Sequence, residues 1–151
     1  MIMAKQHTVR TLFALCLALL MLVALPAKAN VEKFGDVHVH YVAFSSTFLT
    51  PAIAKAYGIK RSRTSGLVNI SVLDAGKQGS PAMAVGIKGE ARNLIGNRVD
   101  LDFKEIREEN AIYYIAPIDY SNEETFRFKI DLTLADGSVK TVEFQQKFYA
   151  D

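Results

Sequence analysis

Apolar and polar residues alternate with a period of two along most of this chain beyond residue 30. The rhythm is clearest at Phe126, Phe128, Ile130, Leu132 and Leu134, interleaved with Arg127, Lys129, Asp131 and Thr133. Successive side chains of a strand point to opposite faces, so this pattern predicts one apolar and one wet face, as in an antiparallel sheet. Ala135-Asp136-Gly137-Ser138 follows as a turn, and Val142, Phe144 and Phe148 alternate with Thr141, Glu143 and Lys147 on the return. The two runs predict a C-terminal hairpin with Asp136-Gly137 at its tip.

Upstream the alternation repeats less regularly. Val68, Ile70 and Val72 form one run, Met83, Val85, Ile87, Gly89 and Ala91 a second, and Val99, Leu101 and Phe103 a third, with Ile106 as an extension. Ala111 to Ile118 is apolar on both faces, which predicts a strand lying between neighbours, with Pro117 limiting its pairing near the end. A strand from Val37 to Phe44 completes a set of about seven. Alternating strands at this spacing predict an all-β fold, an immunoglobulin-like antiparallel β-sandwich. One segment departs from the rhythm. Thr50 suits a helix cap, Pro51 its first turn, the alanines after it favour helix, and Gly58 can end it, so a short helix of about two turns is expected over 50–58.

The first 29 residues carry a different pattern. Lys5 and Arg10 precede an uncharged apolar run from Thr11 to Leu25, followed by Pro26 and Ala27-Lys28-Ala29. That order of charge, apolar run and small-residue site predicts a secretory signal peptide cleaved after Ala29, leaving a single domain over 30–151 in the periplasm. The run is shorter than the roughly 20 residues a membrane span requires, so no transmembrane segment is expected after cleavage. The one cysteine, Cys16, lies inside this leader. The exported domain therefore has no disulfide and must be held by its core.

The leader also changes the charge balance. The whole chain has 18 Lys and Arg against 16 Asp and Glu, but Lys5, Arg10 and Lys28 belong to the leader and no acidic residue does. The remainder is slightly acidic, which argues against a nucleic-acid partner.

Candidate chemistry is sparse. Asp36, His38 and His40 stand two residues apart and would share one face of a strand, a carboxylate and two imidazoles of the kind that bind Zn²⁺ or Cu²⁺. Donors two apart on a strand are about 6.6 Å from each other, wide for joint chelation. Packing or hydrogen bonding is the competing role. No G-x-S-x-G elbow and no phosphate-binding glycine motif occurs. Glu105, Glu108 and Glu109 alternate with Lys104 and Arg107, as a solvated charged strand end would. Tyr113, with Ile115, could line an exposed sheet face and bind protein or glycan, or be covered by the core and helix. Arg61 and Arg63, in the polar stretch 60–65, could meet an anionic partner or simply be solvated.

Several spaced motifs carry a resemblance. Phe34 to Tyr41 (FGDVHVHY), Phe44 to Pro51 (FSSTFLTP), Ala56 to Ser62 (AYGIKRS), Ala91 to Gly96 (ARNLIG) and Phe103 to Ala116 (with FKEIRE and AIYYIA) resemble, in order, the bacterial family catalogued as domain of unknown function 4426. The resemblance implies an exported β-sandwich with no assigned activity and no catalytic residues to carry over. The family's opening motif resembles F-G-D-x-x-V-H-Y, which takes in Asp36 and His40 and leaves His38 on a variable position.

Two functions follow as expectations. The first is a non-enzymatic periplasmic binding or accessory domain, with no cofactor and an envelope protein as its partner, using Tyr113, Arg61 and Arg63. The second is a metal-binding protein or metal-dependent enzyme using Asp36 and His40, with His38 as a further donor.

Overall fold

A computed structural model of the chain describes residues 30–150. The leader expected over 1–29, its cleavage after Ala29 and residue 151 lie outside them. Nine strands run through the described residues: β1 (Asn30–Phe34), β2 (Val37–Ser45), β3 (Ser65–Asp74), β4 (Gly86–Asn93), β5 (Arg98–Leu101), β6 (Lys104–Glu108), β7 (Ala111–Asp119), β8 (Thr125–Thr133) and β9 (Val139–Lys147). All pairings are antiparallel. They build a five-stranded sheet in the order β1-β2-β3-β7-β6 and a four-stranded sheet in the order β5-β4-β8-β9.

The alternation explains why the sheets stack. Val39, Val68, Ile70, Val72, Ile112, Tyr114, Ala116 and Ile118 face inward from the first sheet, and Ala91, Phe126, Phe128, Ile130, Leu132 and Val142 from the second. Together with Phe148 and Tyr120 they form one continuous core. Rings tie the layers: Tyr41 of β2 meets Phe144 of β9 at 4.6 Å between centroids, and Tyr120 stacks on Phe148 at the same distance.

The strand count exceeds the seven that the alternation suggests, for two local reasons. Asn30–Phe34 has too few apolar positions to show a rhythm, yet it pairs in full with Val37–Tyr41 across a turn in which Gly35 takes φ +60°. The run through Val99, Leu101, Phe103 and Ile106 is two strands: β5 ends at Leu101 in one sheet, and β6 begins at Lys104 in the other. A similar crossing divides the run from Met83 to Ala91. Ala82 bridges to Leu73 of the first sheet, whereas β4 starts at Gly86 in the second.

The helix α1 (Pro51–Tyr57) forms as its sequence predicts. The Thr50 hydroxyl accepts the Ile53 N–H at 3.3 Å, Pro51 opens the first turn, and Gly58 closes the last at φ +67°. A short 3-10 turn (Ser46–Phe48) precedes it and packs against β3. The Tyr57 hydroxyl at the end of α1 donates to Glu108 at the end of β6. The expected C-terminal hairpin is β8–β9, with Gly137 at φ +83° and the Ser138 N–H bonded to Asp136 Oδ1 at 2.8 Å.

Candidate functional site

Pairing between β3 and β7 stops at Ile70↔Tyr114, although β3 continues to Asp74 and β7 begins at Ala111. The strands part there, and the segment after β3 fills the gap. The Met83 N–H donates to the Val72 carbonyl at 2.8 Å and the Asp74 N–H to the Pro81 carbonyl at 2.9 Å. On the inner side the Tyr114 hydroxyl accepts the Val85 N–H at 2.9 Å and donates to Glu105 Oε2 at 3.1 Å. Every buried backbone group must find a partner, and here a phenol completes what the diverging strands leave open. Burial pushes the Tyr114 phenol above its ordinary pKa, against the pull of the Val85 N–H. Arg107, bonded to Glu105 at 2.6 Å, holds that carboxyl below the usual range.

On the outer side the divergence leaves a groove of about 430 Å³, within the roughly 300–1,000 Å³ of ligand-binding clefts. β2 and β3 supply its floor with His40, Asn69, Ser71 and Leu73. Ser80, Pro81 and Ala82 form one wall, and Asn110, Ala111 and Tyr113 the other. The lining contains no carboxylate, ammonium or guanidinium. Register explains the floor. His40 pairs with Ser71, and Asn69 sits between Val42 and Ile115 on neighbouring strands. The Asn69 Oδ1 atom is buried and accepts no hydrogen bond, the only such side-chain atom among the described residues.

The sequence-predicted residues therefore divide. His40 and Tyr113, 73 positions apart in the chain and assigned to different functions, line the same groove. His38 shares the outer face of β2 and pairs with Lys33 and with the groove residue Leu73, but does not itself line the groove. Asp36 lies in the β1–β2 turn rather than in a strand, and its carboxylate packs where a Cβ on Gly76 would come within 2.7 Å. Among the described residues no group of three or more His, Cys, Asp or Glu is placed to hold a metal.

Arg61 and Arg63 are at the opposite end of the sheet from Tyr113. β3 starts at Ser65 against Asp119, and Tyr113 is six residues further along β7, about 20 Å away at strand rise. Arg61 donates to the Thr47 carbonyl at 3.2 Å and Arg63 to the Ala150 carbonyl at 3.1 Å. Both tether backbone. Glu105, Glu108 and Glu109 lie on or beside the exposed edge strand β6, the solvated charges their sequence suggests.

A comparison with protein-family models matches residues 31–151 to the domain of unknown function DUF4426. The chain belongs to the DUF4426 family. A crystal structure of a DUF4426 family protein from Pseudomonas aeruginosa PAO1 superposes with a TM-score of 0.70 at 34% identity, over 81% of this chain and 95% of that one. Two structures of FetP from uropathogenic Escherichia coli strain F11 are similar in fold at 10% identity. One is a copper-bound variant (TM-score 0.53, 80% of this chain and 94% of that one). The other is the protein as isolated after periplasmic expression (TM-score 0.50, 80% and 91%). No curated protein matches the sequence. No helix among the described residues is long and apolar enough to cross a membrane.

Asn69, Ser71 and Ser80 are the groove residues that sequence reading passes over. A polar residue in an alternating strand is what any wet sheet face shows, so no signal singles them out.

Proposed function

We propose that this DUF4426 chain is a non-enzymatic binding domain exported to the periplasm, and that its binding site is the groove between β3 and β7. The observation that carries the reading is the convergence of His40, Asn69, Ser71 and Tyr113 on one concave surface, with a buried amide oxygen among them that nothing among the described residues satisfies. A buried polar atom without a partner costs stability, and proteins retain such costs mainly at functional positions. The charge-order-site pattern of the leader supports export. His40 stands opposite Ser71 in the groove, but no hydrogen bond joins its imidazole to the Ser71 or Ser80 hydroxyl and no carboxylate lines the groove to orient it, which favours recognition over catalysis.

The test is an amide spectrum of the isotopically labelled domain with and without extract of the bacterial envelope. Shifts centred on Asn69, Ser71, Ser80 and Tyr113 are expected. Shifts confined to the four-stranded sheet, or none, would overturn the assignment of the groove.

The second reading is a metal-binding protein or metal-dependent enzyme using Asp36 and His40. The copper-bound FetP variant of the same fold is what favours it. Against it stand the position of Asp36 in a turn, four residues from His40, and the want of a third donor nearby. Metal analysis of protein purified without an affinity tag separates the two. Stoichiometric zinc or copper that disappears in His40→Ala would establish the metal reading, and metal-free protein would end it.

A further inference from the structure

We infer that the groove recognises a neutral oligosaccharide and that Asn69 is its anchor. This rests on the groove being the binding site, and adds the ligand's chemical class.

The lining decides against an anionic ligand. In a chain with 23% charged residues, none of the groove residues bears a carboxylate, ammonium or guanidinium. An anion entering would lose hydration, meet no counter-charge and approach Glu108 and Glu109, which line the adjoining hollow with Asn110, Ala111 and Tyr113. What the groove offers is a mixed set of short donors and acceptors: the imidazole of His40, the amides of Asn69 and Asn110, the hydroxyls of Ser71 and Ser80, and the phenol of Tyr113. Sugar hydroxyls donate and accept at once and match such a set. The Tyr113 ring gives their C–H faces an aromatic surface beside the apolar Leu73, Pro81 and Ala82.

Backbone pairing decides against a peptide added to β3. Extended peptides dock chiefly by adding a strand to a free edge. Along the groove β3 is hydrogen-bonded on both sides, to β2 on one and to Pro81–Met83 on the other. That edge is taken.

Asn69 supplies the selectivity. Its oxygen is buried and receives no donor, on a strand flanked by Val42 and Ile115. The last torsion of an asparagine is broad, so a partial turn about Cβ–Cγ brings the oxygen to the groove surface, where a ligand hydroxyl provides the missing donor.

The experiment uses Asn69→Val, which suits a strand and removes the orphaned atom. Cellotriose, maltotriose and N,N′-diacetylchitobiose are titrated into the labelled wild-type domain, beside trigalacturonic acid and a blocked neutral tripeptide. At least one neutral sugar is expected to shift the Asn69 side-chain amide and the Ser71, Ser80 and Tyr113 signals. In Asn69→Val its affinity should fall about tenfold or more while the urea midpoint rises. A purely structural asparagine would lower both. If the tripeptide or the acidic sugar binds the groove and the neutral sugars do not, the ligand class is wrong and the groove stands as a binding site. If nothing shifts at millimolar ligand, the oligosaccharide inference is overturned, and the envelope-extract spectrum judges the groove itself.

Discussion

Ser46 and Ser62, sixteen positions apart, are joined by two hydrogen bonds through a single hydroxyl. Ser46 Oγ donates to the Ser62 carbonyl at 3.0 Å and accepts the Ser62 N–H at 2.9 Å. Ser46 is fully buried, in the 3-10 turn before α1. It therefore clamps the chain entering the helix to the chain leaving it. Ser46→Ala should cost about 1–3 kcal/mol, because two backbone groups lose their partner at once. Urea denaturation measures this, and a midpoint equal to wild type would show that the clamp is dispensable.

Gly66 in β3 has no room for a side chain. A Cβ there would lie 2.8 Å from the Phe148 ring and 2.9 Å from the Phe44 carbonyl oxygen. The ring could tilt, but the carbonyl belongs to the neighbouring paired strand. Gly66→Ala should destabilise the domain by about 1–3 kcal/mol through overpacking. An unchanged thermal midpoint would contradict the packing described for that end of the core.

Tyr114→Phe keeps the ring in the core and deletes the acceptor of the Val85 N–H. The expected loss is roughly 1–3 kcal/mol, with faster amide exchange at Val85 than at the paired residues of β7. Equal exchange protection in both proteins would mean that the phenol does not hold the segment between the sheets.

Glu105 gives a pH dependence with a definite sign. Its carboxyl is held below the ordinary value first by the Arg107 hydrogen bond, with the Tyr114 phenol adding to it. A group with a lowered folded-state pKa stabilises the fold above its unfolded value, about 4.3 for glutamate, and that contribution fades as pH falls through the folded value. Wild type should thus lose more stability than Glu105→Gln between about pH 6 and pH 3. A gap between the two proteins that stays constant over this range would refute the assignment.

Much of the architecture was legible because the domain writes its layers as a rhythm. Phe126 to Leu132 alternates so regularly that its buried face follows by inspection, and Thr50, Pro51 and Gly58 each occupy the cap position their chemistry suits. Where the chain changes sheets the rhythm misleads. Leu101 and Phe103, or Val85 and Ile87, keep alternating through a crossing because both layers want an apolar residue inside. The groove was the least legible feature. It exists because β3 and β7 diverge, and the residues it unites come from strands on either side of β3. Local spacing grouped Asp36 with His40. Sheet order groups His40 with Tyr113 instead.

The crossing from β5 to β6 sets how the sandwich can breathe. Leu101 and Lys104 are three Cα steps apart, at most about 11 Å of chain, and stacked sheets stand about 10 Å apart. That link is nearly taut, so it works as the spine of a book. The opposite margin has no such tie: β1 and β9 meet there through Lys140 over the Phe34 ring, with Tyr41 against Phe144 just inside. The leaves therefore part most easily at those rings, on the margin away from the β7 wall of the groove.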